Sequence, residues 1–350
     1  MNKPNNRMKP SDFDITSLVR PNILALKPYS SARDEFTGKE GIFLDANENP
    51  YGRWNRYPDP HQRELKKALS ERNNIPVEHI FIGNGSDEVI DTIYRVFCEP
   101  SHDRAIICPP TYGMYEVSAH IHDVGLVEVP LTEQFELDVD KILSCPAKLL
   151  FVCSPNNPTG NRLQNVERLL QEFRGIVVVD EAYIDFCDHP GFAGMVREYP
   201  NLIVSRTFSK AWGLAAARVG IAYASREIIA LMDKTKPPYN VSALNQMAAL
   251  EALSKPRQFE QRLAVILKQR TLLREELMKL SIVKKIYPSH ANFLLVEVDD
   301  ANSVYHHLVE EKVIVRNRHS VVPNCIRITV GMPEENRALL QALNQYCSKL

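Results

Sequence analysis

The sequence predicts an α/β fold: a large domain with a mostly parallel central sheet flanked by helices, followed by a smaller α+β domain. Three observations predict it. From a stretch of helical spacing at 61–73 to about residue 224, short apolar runs alternate with helical segments. The runs are continuous in their apolar character, which is the habit of parallel strands covered on both faces. After a long helical region at 242–280 the order changes to strand, helix, strand, strand, helix.

Taken in order, residues 1–45 read as an irregular arm that joins the smaller domain, with a short strand at Ile42–Leu44. Residues 46–249 are expected to form the large domain and 250–350 the small C-terminal one. Leu65, Ala68 and Leu69 give the 61–73 helix its apolar face. The expected strands of the large domain are 105–108, 126–129, 149–153, 176–179, 202–204 and 219–223, and a helical run at 89–97 precedes them. The small domain reads as strand 293–298, helix 303–311, strands 313–315 and 326–330, and helix 334–349.

Composition narrows the function. The chain carries 42 Lys and Arg against 43 Asp and Glu, a net charge of −1, so neither a nucleic-acid footprint nor a basic membrane patch is expected. No apolar run approaches the ~20 residues of a membrane helix, and the polar N-terminus lacks the apolar core of a signal peptide. Seven scattered cysteines without a C-x-x-C pair read as reduced thiols of a cytoplasmic protein. His120/His122 and His306/His307 stand without further ligands nearby, and no metal site is expected.

The chemistry is concentrated at strand ends. Lys210 lies in Ser205-Arg-Thr-Phe-Ser-Lys-Ala-Trp-Gly-Leu214, amid hydroxyls and small residues that suit a Schiff-base lysine. Asp180 closes the apolar strand Val-Val-Val-Asp and can hold a protonated pyridine nitrogen; a helix cap is the plainer use of such a residue. Pyridoxal 5′-phosphate needs both groups. Tyr183 can reach the cofactor phenolate or serve as a core aromatic with a wet hydroxyl. Asn157, in Ser154-Pro-Asn-Asn-Pro-Thr-Gly160, can bond a ring substituent, although a plain turn would use the same residues. Gly85, Ser86 and Asp87 open a helix, as a phosphate cradle or as an ordinary capped turn. Thr207, Ser209 and Arg218 can clamp a phosphate, and Tyr112 is flat enough to stack on a ring.

Together these strings resemble the fold-type I pyridoxal-phosphate-dependent aminotransferases, most closely the histidinol-phosphate aminotransferase branch. Ala46-Asn-Glu-Asn-Pro50, Arg56-Tyr-Pro58 and Cys108-Pro-Pro-Thr-Tyr-Gly-Met-Tyr115 are the most specific to it, with Ser154–Gly160, and the likeness runs to Ile326-Arg327-Ile-Thr-Val-Gly331. The resemblance implies that Lys210 binds the cofactor and shuttles a proton, that Asp180 pairs with the ring nitrogen, and that Asn157 and Tyr183 hold the phenolate oxygen. It implies that Tyr112 stacks on the ring, that Gly85, Ser86, Asp87, Ser209 and Arg218 hold the phosphate, and that Tyr57 reaches the partner's cofactor in a homodimer with shared active sites. Tyr29, Arg316 and Arg327, with Asn157, would bind substrate; Arg318, two residues after Arg316, competes for that register. The implied reaction is ping-pong transamination between L-histidinol phosphate and 2-oxoglutarate, giving imidazole-acetol phosphate and L-glutamate, in histidine biosynthesis. An aromatic amino-acid aminotransferase, a threonine-phosphate decarboxylase and a non-catalytic binding module are the alternatives. The chain departs from the family pattern at Ala216, where a glycine is usual.

Overall fold

The computed structural model describes residues 13–28 and 41–349. Its larger sheet comprises β1 (Ile80–Gly83), β2 (Arg104–Ile107), β3 (Gly125–Glu128), β4 (Leu149–Cys153), β5 (Ile176–Asp180), β6 (Leu202–Thr207) and β7 (Gly220–Ala224). The strand order is β1-β7-β6-β5-β4-β2-β3. Strands β2 to β6 run parallel to one another, whereas β7 is antiparallel to both β1 and β6.

Successive side chains on these strands point to opposite faces, and both faces are covered. On β5, Ile176 and Val178 enter one core while Val177 and Val179 enter the other. Helices α1 (Pro21–Ala25), α3 (Ser86–Phe97), α4 (Met114–Ile121) and α7 (Arg226–Thr235) cover the first face. The second is covered by α2 (Arg63–Asn73), α5 (Val139–Ser144), α6 (Val166–Glu172) and α8 (Ala243–Leu253). Each fully buried Ile, Val or Phe contributes roughly 1.5–3 kcal/mol relative to exposure, so a sheet buried twice over makes a stiff platform.

Helix α9 (Pro256–Leu277) leads to a second sheet. Its strands are β8 (Val283–Ile286), β9 (Phe293–Val298), β10 (Arg316–Asn317) and β11 (Cys325–Thr329), antiparallel throughout in the order β10-β11-β9-β8. Leu273 and Leu277 of α9, Val304 and Leu308 of α10 (Ala301–Glu310), and Leu339 and Leu343 of α11 (Pro333–Cys347) fill the core behind it.

Several expectations differ from the structure. Ile42–Leu44 forms no strand; Ile42 and Leu44 are 91% and 89% exposed, so the apolar run has no core to enter in this chain. The 242–280 helix is two helices, because Pro256 drives Lys255 out of helical backbone (φ −119, ψ 54). The strand expected at 313–315 pairs only from Arg316 onward. Strands β1 and β8 were not expected: β1 is four residues long, and β8 (Val-Lys-Lys-Ile) is apolar only at its ends. The described part of the arm packs on the larger layer. Val19 and Ile23 are buried in its core, and Arg20 N–H donates to Val96 O of α3 at 3.1 Å.

Candidate active site

Strands β4, β5 and β6 are parallel neighbours, so their carboxyl ends deliver three loops to one place. The loop after β4 carries Asn157, the end of β5 is Asp180, and the turn after β6 carries Ser209 and Lys210. They line one wall of a cavity of about 390 Å³, which suits a ligand of cofactor size. Tyr112, Tyr183, Ser86, Asp87, Thr207 and Arg218 also line it, and so do Arg316, Arg318 and Arg327 from the second sheet.

Asp180 is buried. Its Oδ2 accepts a 2.7 Å hydrogen bond from the Tyr115 hydroxyl, and its Oδ1 accepts one from Ala182 N–H at 3.1 Å. Burial raises its pKa above the usual carboxylate range, against the lowering effect of those bonds and of Lys210. Tyr115 was not among the expected site residues. Its T-shaped contact with Tyr112 (centroids 5.6 Å apart, 85°) also braces that ring.

Lys210 Nζ lies 5.7 Å from the centroid of the Tyr183 ring. Desolvation by the surrounding protein lowers the lysine pKa below its ordinary 10.5, and the Arg327 charge lowers it further. Burial pushes the Tyr183 phenol up, so the hydroxyl stays a donor at neutral pH.

The Asn157 loop is held by its neighbours. Fully buried Asn156 donates to Pro110 O and to Thr159 Oγ1, both at 2.8 Å, and accepts from Thr111 Oγ1 at 3.1 Å. Asn157 lines the cavity, and its Oδ1 accepts from Arg327 Nη1. His290 N–H donates to Gly160 O at 2.7 Å, tying this loop to the segment before β9. Gly160 has φ +85, and a Cβ there would stand 2.8 Å from Ser289 Oγ.

The opposite end of the cavity is the start of α3. Gly85 caps the helix with φ +86, where a Cβ would meet Arg218 Nη2 at 2.5 Å. A Cβ on Gly220 of β7 would stand 2.4 Å from Ser86 N. Without those side chains, the helix start lies directly against β7 and beside Arg218. Arg218 Nη2 donates to Asp87 Oδ2 at 3.1 Å, and Tyr112 Oη donates to Asp87 Oδ1 at 3.1 Å. Arg218 Nη1 also contacts Ser209 Oγ at 3.4 Å. Thr207 secures the turn, accepting from Ser209 N–H at 3.1 Å. Ala216 is exposed, so its methyl faces solvent and leaves Arg218 undisturbed.

At the far end, three arginines converge. Arg316 pairs in register opposite Arg327, and Arg318, two residues on, shares the face of Arg316. Burial lowers the pKa of Arg327, and burial with the charges of Arg327 and Arg316 pulls Arg318 down to about 10. The Nε atoms of Arg318 and Arg327 are buried without a hydrogen-bond partner.

Two expected residues stand elsewhere. Tyr57 is outside this cavity; it stacks on Tyr239 (centroids 4.4 Å, 14°), and its N–H donates to Glu48 Oε1 at 2.6 Å. Tyr29 lies outside the described residues. Among the described residues no group of His, Cys, Asp and Glu is arranged to hold a metal, and no helix is long and apolar enough to cross a membrane.

Residues 42–343 match the family model for aminotransferases of class I and II. A histidinol-phosphate aminotransferase of Cytophaga hutchinsonii is 54% identical over 346 residues, covering 95% of this chain and 99% of that protein. The crystal structure of the histidinol-phosphate aminotransferase of Clostridium acetobutylicum superposes with a TM-score of 0.78 at 26% identity, covering 85% of this chain and 92% of that one. The Sinorhizobium meliloti enzyme of the same name, crystallised with pyridoxal-5′-phosphate, shares the fold with a TM-score of 0.77 at 24% identity, covering 84% of this chain and 83% of that chain.

Proposed function

The chain belongs to the class I and II aminotransferases, in the branch of the histidinol-phosphate aminotransferases, and on that premise we propose that it interconverts L-histidinol phosphate and 2-oxoglutarate with imidazole-acetol phosphate and L-glutamate, using pyridoxal 5′-phosphate. The observation that carries this reading is one cavity holding Lys210 and Asp180 at neighbouring strand ends, with guanidinium groups at both of its extremities.

The donor set fits the cofactor. A buried carboxylate suits a pyridinium, and a helix start cleared of side chains beside Arg218 suits a phosphate. When bound, pyridoxal phosphate supplies a carbonyl that captures amines and a ring that takes up the electrons released on proton loss.

The protein does the rest. Burial and the Arg327 charge lower the Lys210 pKa, which favours the neutral amine that would take the proton from the substrate's amine-bearing carbon and return it one position away. Asp180 would hold the ring nitrogen protonated, and Tyr115 keeps Asp180 aimed. Tyr183 and Asn157 would hold the ring oxygen, and Tyr112 would stack on the ring. Backbone N–H groups at Gly85–Asp87, with Ser209, Thr207 and Arg218, would hold the phosphate. Arg316 and Arg327 receive the substrate's anionic group, and Tyr29 closes on it.

The working unit on this reading is a cytoplasmic homodimer. Exposed Ile42, Leu44, Tyr51 and Trp54 form its contact, and Tyr57 completes the partner's site. Mixing the cofactor-loaded protein separately with histidinol phosphate, phenylalanine, tyrosine and threonine phosphate tests the assignment. Fast loss of the cofactor's carbonyl-form absorbance with histidinol phosphate, and slow change with the others, is expected. Preference for the aromatic amino acids, or carbon dioxide from threonine phosphate, would replace the reading.

A further inference from the structure

We propose that His290 is a positioning residue for Asn157: its imidazole clamps the loop that carries Asn157 to the small sheet, through a bond that only the neutral ring can make. The proposal deepens the transaminase reading, and the part of it that concerns the cofactor rests on that reading.

The loop at 154–162 closes largely on itself. Asn156 N–H donates to Asn161 O and Gly160 N–H to Asn156 O, both at 2.8 Å, and Leu163 N–H donates to Ser154 Oγ at 3.0 Å. Arg162 N–H instead leaves the loop and donates to His290 Nδ1 at 3.3 Å. The His290 backbone N–H donates in turn to Gly160 O, so ring and peptide grip the loop two residues apart.

The segment is braced for this contact. On one side of His290, Ser289 Oγ donates to Phe293 O at 2.6 Å and accepts from Ala291 N–H at 3.1 Å. On the other side, Ala291 O accepts from Arg270 of α9 at 2.8 Å. Arg270 also donates to Phe186 O at 3.2 Å, which holds the segment against the turn after β5. The ring therefore meets the loop from a fixed backbone.

An N–H donor dictates the state of its acceptor. Nδ1 must carry a lone pair, so the ring proton sits on Nε2 and the imidazole is neutral. Protonation would set an N–H on Nδ1 against the N–H of Arg162, and the bond would be lost. Burial, and then the charges of Arg270 and Arg162, lower the pKa of the ring below its ordinary 6.5. The clamp thus holds at neutral pH and opens on acidification. On the loop after β5, burial pushes the Cys187 thiol up and the His189 imidazole down, so both are neutral at pH 7 and bring no countercharge.

Two variants isolate the ring, because both keep the backbone N–H: H290A removes the acceptor, and H290N offers an oxygen near Nδ1 that cannot titrate. Amide hydrogen exchange on the cofactor-free protein reads the clamp directly. At neutral pH the Arg162 amide should exchange about 3- to 10-fold faster in H290A, and at nearly the wild-type rate in H290N. Corrected for intrinsic rates, its protection in the wild type should fall as the pH drops below 6.5, and that fall should be absent from H290N. An Arg162 amide equally protected in H290A would overturn the clamp. The cofactor-loaded protein reads the positioning. A donor to the ring oxygen favours its ionised form, so the pH midpoint of the cofactor's absorbance should rise by about 0.5 unit in H290A but not in H290N. In an Asn157→Ala background the H290A shift should vanish. A midpoint unmoved by H290A but moved by Asn157→Ala would overturn the positioning role alone. A midpoint unmoved by Asn157→Ala would overturn the ring-oxygen role of Asn157 and the positioning role with it, while exchange still decides the clamp.

Discussion

The two ends of the cavity are built on opposite principles. At the end of the large sheet, Asp180 and Arg218 find partners within the chain: Asp180 with Tyr115 and Ala182, and Arg218 with Asp87 and Ser209. At the end of the small sheet, Arg316, Arg318 and Arg327 stand together with, among the described residues, one side-chain hydrogen bond between them, from Arg327 to Asn157. An end that satisfies itself can hold a resident group in fixed geometry. An end that does not must wait for its ligand, and its affinity follows the charge of whatever arrives.

Changes at the self-satisfied end should strike chemistry, and changes at the other end should strike binding. The largest expected effect is Lys210→Ala, which should abolish turnover while far-ultraviolet circular dichroism and thermal unfolding keep the wild-type form. Substantial transamination in that variant would break the comparison at its strongest point.

Arg327→Gln comes next. On the proposed reading both substrates use this charge, so both half-reactions should fall by about 10- to 100-fold in kcat/KM. It also carries a pH signature. Lys210 has its pKa depressed partly by Arg327, so removing that charge raises the lysine toward its ordinary 10.5. The midpoint for cofactor capture by the stripped protein should then move to higher pH. The linked stability has a definite sign: with the folded pKa below the unfolded one, the unfolded chain holds the proton more tightly. Lys210 therefore opposes folding at neutral pH, and that penalty fades as pH rises toward 10.5. Arg327→Gln should shrink the effect, and a midpoint unmoved in the variant would sever the two ends electrostatically.

The smallest effect is expected at Tyr115→Phe. Losing one buried hydrogen bond to Asp180 should slow turnover by about 3- to 10-fold and leave KM for glutamate nearly unchanged, which steady-state kinetics would resolve.

How much of this is legible in the sequence follows the same division. Asn157, Asp180 and Lys210 each follow a continuous apolar run, and runs of that kind become adjacent parallel strands whose ends coincide. Tyr115 was hidden because its partner lies 65 residues away, and an aromatic on an amphipathic helix is ordinarily core. Two arginines within three residues leave the register open in the sequence, and the pairing of Arg316 with Arg327 brings Arg316 and Arg318 to the same face. An irregular arm carries no pattern that says which layer it joins, and in its described part Val19 and Ile23 are buried against the large sheet. Four-residue strands such as β1 carry too little pattern to be seen at all.

The tie between His290 and Gly160 joins the two ends mechanically. The loop that aims Asn157 is fastened to the small sheet by that backbone bond and by Arg327 on the asparagine itself. A movement that carries the arginines must therefore drag on the asparagine. On the proposed assignment of the two ends, substrate and cofactor would both act on that one loop, and by reciprocity any effect of one on the other's affinity would be returned by the same factor.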